Sequence, residues 1–276
     1  MIKLFSPAKI NLFFKLTGQR EDGYHSIQSF FQAVSLGDVL TFKHSHRDSF
    51  RSNLEILGFN DHNSIIKALF IFRKETGFKT PLEITLDKKI PTEAGLGGGS
   101  SNAATTLWGL NELFGRPASS KKLFNWANKI TCDSPFFFSE GTALCEGRGD
   151  LVRKMPPLFQ ESAWLVKPDK GLSTESVYAE SKAHLPLQMK LDDLLKKIYS
   201  KQAIYSNDLE SPAFALYPAL KTLKEELIMQ GFESVFMTGS GSTLVCIGKN
   251  RPVVEKTVKI FPVRYITRPP NQWYSL

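Results

Sequence analysis

The run Pro91-Thr92-Glu93-Ala94-Gly95-Leu96-Gly97-Gly98-Gly99-Ser100-Ser101-Asn102-Ala103-Ala104 constrains this chain more than any other, because it sets a glycine-rich turn directly against an amphipathic helix. Four glycines in the five positions from Gly95 to Gly99 let the backbone take positive φ and approach a ligand with no Cβ in the way. A plain connector has no reason to carry the entropic cost of so many. Ala103, Ala104, Leu107, Leu110, Leu113 and Phe114 then recur at helical spacing. The free N–H groups and positive dipole end of that helix therefore face the glycines, an arrangement suited to phosphate oxygens.

Two familiar nucleotide motifs do not account for the run. A P-loop ends in Gly-Lys-Ser/Thr, whereas this loop holds no lysine and continues Ser-Ser-Asn-Ala. A dinucleotide fingerprint needs a third glycine or alanine three positions after the second, but Gly95 and Gly97 lead to Ser100. A flexible linker is also a poor description, since linkers are not coupled to a helix in this way.

The chain has 276 residues, 42% of them hydrophobic, enough for one large or two medium domains. No apolar stretch is long enough to span a bilayer, and the start Met1-Ile2-Lys3-Leu4-Phe5-Ser6-Pro7 has no leader pattern, so a soluble protein without a membrane partner is expected. Three cysteines, Cys132, Cys145 and Cys246, have neither even count nor paired spacing, which points to a reducing cytoplasm rather than a disulfide frame or thiolate metal site. The net charge of +8 suits an anionic small molecule or nucleic acid. Because the basic residues are scattered, with short clusters such as Lys88-Lys89 and no basic tract interleaved with aromatics, no nucleic-acid partner is expected.

Strand patterns are expected at 11–16, 39–43, 82–86, 163–166, 234–237, 243–247 and 263–267. Helical patterns cover 64–75, 100–114, 120–130, 174–182, 191–199, 219–230 and 252–260. Met155-Pro156-Pro157-Leu158 interrupts the alternation, so two α+β lobes, 1–155 and 156–276, with a cleft between them are predicted.

Four further segments carry polar or small-residue chemistry. In Ser6-Pro7-Ala8-Lys9-Ile10-Asn11-Leu12, Lys9 and Asn11 share one side of a strand, as a solvated face or as a functional pair. Arg20-Glu21-Asp22-Gly23-Tyr24-His25-Ser26 is a turn, with Tyr24 and His25 either its flank or a recognition element. In Thr131-Cys132-Asp133-Ser134-Pro135-Phe136-Phe137-Phe138, Asp133 fits a helix N-cap and a general base equally. Met237-Thr238-Gly239-Ser240-Gly241-Ser242-Thr243 joins two strands as a hairpin turn, or offers backbone N–H groups to an anion.

In this order the segments resemble the GHMP kinase superfamily. The loop from Pro91 and the Gly239-Ser240-Gly241 turn carry the general likeness. The Pro7-to-Leu12, Asp22-Gly23-Tyr24-His25 and Asp133-x-Pro135-Phe136-Phe137 segments look like its members that act on a cytidine-diphosphate-linked methylerythritol. The Gly-Glu-His element of galactokinase-like members and the Asn-Leu-Gly-Pro-Gly run of homoserine kinases are absent. The similarity spans roughly residues 2 to 250.

The resemblance implies an α+β fold of two lobes, the first like domain 2 of ribosomal protein S5 and the second ferredoxin-like. It implies transfer of the γ-phosphoryl of ATP to the 2-hydroxyl of the methylerythritol moiety, a step in non-mevalonate isoprenoid precursor synthesis, with Lys9 and Asp133 as the catalytic pair. Pro91, Thr92, Glu93, Ala94, Gly95, Leu96, Gly97, Gly98, Gly99, Ser100 and Ser101 would wrap the ATP phosphates, with Ser100 or Ser101 as a hydroxyl near Mg²⁺. Asn11, Tyr24, His25 and Tyr178 would recognise the cytidine end, and Gly239, Ser240 and Gly241 would also face substrate. Thr131 departs from the family pattern, which has glycine two residues before the Asp. So does Glu93, an acid inside a phosphate loop.

Overall fold

The computed structural model describes residues 1–159, 161–181, 190–200, 202 and 204–275. Its strands are β1 (Ile2–Gln19), β2 (His25–His44), β3 (Ser49–Ser52), β4 (Leu82–Asp87), β5 (Thr142–Gly147), β6 (Leu151–Lys154), β7 (Ser162–Lys167), β8 (Ser206–Asn207), β9 (Ser234–Met237), β10 (Leu244–Ile247) and β11 (Lys259–Arg264). Its helices are α1 (Ser64–Thr76), α2 (Gly98–Leu113), α3 (Ser120–Asn128), α4 (Thr174–Glu180), α5 (Leu191–Tyr199), α6 (Glu210–Leu216) and α7 (Pro218–Met229), with a 3-10 turn at Ser134–Phe138.

The first sheet runs β3-β4-β2-β1-β8, and β5, followed by β6, shares the β4 side of β2. Its spine is the antiparallel pair β1 and β2, much longer than the two short strands the alternating pattern predicts at 11–16 and 39–43. Residues 6–14 of β1 are buried without a break, because both faces of the sheet are covered. On one face Phe31 and Ala33 pack with Ile66 and Leu69 of α1 and Leu107 of α2. On the other, Phe30 and Val34 pack with Leu165, Phe236 and Val245 from the second sheet. Strands buried on both sides read as continuous apolar runs, so the period-2 signal is lost.

The second sheet is antiparallel throughout, in the order β11-β7-β10-β9. Numbered within its own lobe this is 4-1-3-2, the ferredoxin-like order the resemblance implies. One expected helix is absent. Residues 252–260 form no helix, and β11 already starts at Lys259. Val253, Val254, Thr257 and Val258 are β-branched and lose side-chain freedom in a helix. Gln230 also holds this stretch open, donating to the Val253 carbonyl and accepting from its N–H, both at 2.9 Å. The helix expected over 174–182 ends at Glu180, and position 182 lies outside the described residues.

After β11 the chain returns to the first lobe: Tyr265 bridges Val34, and the Trp273 indole N–H donates to the Phe5 carbonyl at 2.9 Å. The buried Arg268 donates to the carbonyls of Phe138 and Ser139 at 2.6 and 2.7 Å, fixing the end of the 3-10 turn that follows Asp133.

Candidate active site

Where the two lobes meet there is a cleft of about 1160 Å³. Its floor is the start of α2. Gly97 occupies the N-cap position in the left-handed region at φ 66°, no side chain caps the helix, and its first turn holds no acid. The N–H groups of that turn have no intrahelical partner, so they remain for an external anion. The loop is tied to β1 by the Lys9 N–H, which donates to the Leu96 carbonyl at 3.0 Å, and to α1 by the Ser64 hydroxyl, which donates to the Gly99 carbonyl at 2.7 Å.

Two glycines of the loop are required by close approach. A Cβ on Gly97 would stand 3.0 Å from Lys9 Cγ, and a Cβ on Gly95 would run into the Thr238 carbonyl. Gly239 in turn packs onto Gly95, where its Cβ would lie 2.8 Å from the Gly95 carbonyl oxygen. The late Gly-Ser-Gly turn is therefore a lobe-to-lobe contact as well as a cleft wall. Gly239 and Ser240 line the cleft, but Gly241 does not, and its N–H is spent on the Thr238 carbonyl at 3.1 Å.

Lys9 and Asp133 meet beside the loop, with Lys9 Nζ 3.4 Å from Asp133 Oδ2. Lys9 is almost fully buried, and its ammonium also donates to Asn11 Oδ1 at 2.8 Å and lies 4.6 Å from the centre of the Phe31 ring. Asp133 stands at the N-cap position of the 3-10 turn, yet its side chain caps nothing. Its carboxylate faces Lys9 and the cleft instead. The neighbouring Cys132 thiol is pushed up in pKa by burial first and by Asp133 in addition, which keeps it a neutral thiol.

Asn11 is buried behind Lys9 rather than lining the cleft. It donates to the Ser29 hydroxyl at 2.8 Å, and its backbone N–H donates to Thr238 Oγ1 at 2.9 Å. Its amide is engaged on both sides, accepting from Lys9 Nζ and donating to Ser29. Ser101 is likewise turned into the core, its hydroxyl 2.8 Å from that of Ser6, which leaves Ser100 as the cleft-facing hydroxyl. Thr131 donates to Ser100 Oγ at 2.8 Å. Glu93 adopts φ 48° and directs its carboxylate at Gly171, where a Cβ would be 2.5 Å from Glu93 Oε2. The acid therefore points across to the second lobe and away from the helix start.

At the other end of the cleft His25 faces Tyr178 of α4 with ring centres 5.4 Å apart, and Phe14 closes on Tyr178 edge-on at 6.4 Å. Burial raises the Tyr178 hydroxyl well above its ordinary pKa, and nearby Asp133 adds to this, so it stays a neutral hydroxyl. Tyr24 is about half exposed, with the Arg148 guanidinium 5.3 Å from its ring centre. Lys88 and Arg148 line the cleft without having been singled out as site residues in the sequence. Lys88, beside Gly98, pairs with the buried Asp38 at 3.0 Å, and burial lowers its pKa against the pull of that carboxylate.

A model of the GHMP kinases N terminal domain matches residues 63–141, and one of the GHMP kinases C terminal domain matches residues 187–262. A 4-diphosphocytidyl-2-C-methyl-D-erythritol kinase of Protochlamydia amoebophila is 46% identical, over 99% of this chain and 93% of that protein. The chain belongs to the 4-diphosphocytidyl-2-C-methyl-D-erythritol kinase family of GHMP kinases. The chloroplastic member of this family from Arabidopsis thaliana is 43% identical, over 99% of this chain and 76% of its own length. A crystal structure of a 4-(cytidine 5'-diphospho)-2C-methyl-D-erythritol kinase superposes with a TM-score of 0.81 at 26% identity, covering 96% of this chain and 99% of that one. A homoserine kinase from Cytophaga hutchinsonii, 17% identical over 98% of this chain and 96% of its own, has a TM-score of 0.70 and shares the GHMP kinase fold alone. No helix among the described residues is long and apolar enough to cross a membrane.

Proposed function

We propose that this GHMP kinase transfers the γ-phosphoryl group of ATP to the 2-hydroxyl of 4-diphosphocytidyl-2-C-methyl-D-erythritol, in non-mevalonate isoprenoid precursor synthesis. The carrying observation is the Lys9–Asp133 pair at 3.4 Å, set between an uncapped, glycine-led helix start and an aromatic pocket in one cleft. Asp133 accepts the proton of a crowded tertiary hydroxyl as the phosphoryl group transfers. Lys9, 3.4 Å from that carboxylate, orients it and offsets charge developing on the transferring group. The loop from Pro91 to Ser100 holds the ATP phosphates through backbone N–H groups at the positive end of α2.

Mg²⁺ is proposed to enter with ATP, where it neutralises charge on the phosphates. Among the described residues no three His, Cys, Asp or Glu side chains cluster as a metal cage. The Ser100 hydroxyl fits an ion that keeps mostly phosphate and water ligands. Tyr24, His25 and Tyr178 are proposed to receive the cytosine, and Gly239 and Ser240 to close the cleft over the substrate. The working division of the chain is 1–155 and 156–276, with the returning tail packed on the first lobe. Scattered basic residues argue against a nucleic-acid partner, and three unpaired cysteines suit a reducing cytoplasm.

A coupled ADP-release assay tests the assignment. Release with 4-diphosphocytidyl-2-C-methyl-D-erythritol and none with mevalonate or phosphomevalonate is expected; the reverse pattern would place the chain with another GHMP activity.

A further inference from the structure

We propose that Arg148 receives the diphosphate that joins the two ends of the substrate, and that it selects for that diphosphate. The inference rests on the cytidine-diphosphate reading above and deepens it. Among the described residues lining the cleft, the lysine and arginine side chains are Lys9, Lys88 and Arg148. Lys9 is committed to Asn11 at 2.8 Å and Asp133 at 3.4 Å. Lys88 is committed to Asp38 at 3.0 Å on the α2 side, where the ATP phosphates are placed. Arg148 remains.

Its position is set by the hairpin joining β5 to β6. Gly147 and Gly149, at φ 68° and 103°, flank it in the left-handed region, and the Arg148 N–H donates to Asp150 Oδ1 at 2.9 Å. On one side the guanidinium lies 5.3 Å from the Tyr24 ring centre. On the other, Gly149 abuts the proposed base so closely that a Cβ there would be 3.2 Å from Asp133 Oδ1. A substrate with its base at Tyr24 and its accepting hydroxyl at Asp133 has to carry two phosphates through the space between them, which is where Arg148 stands. Among the described residues the guanidinium makes one ion pair, with Asp150 at a long 3.4 Å, Asp22 interacts with it only at longer range, and its side chain is 33% exposed. It therefore retains donors for a second anion. A planar guanidinium matches phosphate oxygens two at a time and is more weakly hydrated than an ammonium, so less is lost when it binds.

The test is kinetic. Inhibition constants of cytidine and of cytidine diphosphate, each against 4-diphosphocytidyl-2-C-methyl-D-erythritol, are measured for the unaltered protein, Arg148→Gln, Arg148→Lys and Tyr178→Ala. Arg148→Gln should weaken cytidine diphosphate by about tenfold or more while cytidine shifts less than about twofold, the scale of hydrogen bonds to a charged group. Arg148→Lys should fall between, because the charge survives and the fork does not. An equal change for both ligands, or none in either Arg148 variant, overturns the proposal. If Arg148 fails in this way while Tyr178→Ala still weakens cytidine, the cytidine pocket stands and the Arg148 assignment alone is lost. If Tyr178→Ala leaves cytidine unchanged, the pocket reading fails and this proposal falls with it.

Discussion

Lys9 and Asp133 approach to 3.4 Å from opposite ends of the first lobe, one on the central strand β1 and the other at the head of a 3-10 turn. Neither is held by its own element alone. Asn11 and Phe31 fix the ammonium, while Arg268 and the returning tail fix the turn that carries the carboxylate. The pair is thus placed by the tertiary fold, which brings a sheet strand and a 3-10 turn together.

Asp133→Asn should lower kcat by about 10²-fold or more, the usual scale for loss of a general base. Because the Asp133 side chain makes no cap hydrogen bond, the thermal midpoint and the KM for ATP should scarcely move. Steady-state kinetics beside a thermal melt check this; turnover near the parent value would remove Asp133 from the chemistry.

Asn11→Ala should act on kcat and leave the affinity for cytidine-bearing ligands nearly intact. The amide holds Lys9 Nζ and does not line the cleft. Comparing kcat with the inhibition constant of cytidine separates the two roles, and a selective loss of cytidine affinity would return Asn11 to the base pocket.

Gly97→Val should raise the KM for ATP and depress kcat together. The new side chain would need φ near 66° and would press on Lys9 Cγ from 3.0 Å. Gly98→Val, which meets Ile90 and Lys88 instead, should act chiefly on ATP. Initial-rate kinetics at varied ATP distinguish them, and normal ATP kinetics in a destabilised Gly97→Val would make that glycine purely structural.

Tyr24→Ala and Tyr178→Ala should each weaken the cytidine-bearing substrate by about 1–3 kcal/mol, the value of one base stack on an aromatic ring. His25→Ala should additionally lose discrimination among bases, since a hydrogen-bonding site rejects analogues by leaving its own groups unpaired. Calorimetric titration of both ligands provides the check. Equal weakening of ATP would contradict a dedicated cytidine pocket.

Much of this site was legible in the chain because its chemistry is written in local motifs. The glycine loop, the acid before Pro135 and the turn at Tyr24 each stand where a short segment dictates them, and the structure brings all three to one cleft. That Lys9 and Asn11 share one strand side was legible, whereas the bond from Lys9 Nζ to the Asn11 amide and the burial of both depend on the packed fold. Arg148 carried no signal, since a lone arginine between two glycines looks like any hairpin tip until the fold sets it beside Tyr24. The strand at 25–34 was missed for a different reason: burial on both faces erases alternation. The false helix at 252–260 arose because the spacing of Val254 and Val258 fits a helix as well as it fits the irregular segment and turn that pack them on the second lobe.

Phosphorus NMR of the reaction with ATP and 4-diphosphocytidyl-2-C-methyl-D-erythritol tests the central claim most directly, because it reports which oxygen receives the phosphoryl group. One new phosphomonoester on the tertiary 2-carbon, with the cytidine diphosphate resonances preserved and ADP formed in equal amount, is the predicted result. A phosphoryl group added to the diphosphate or to another hydroxyl, or ATP consumed with the alcohol unchanged, would contradict it.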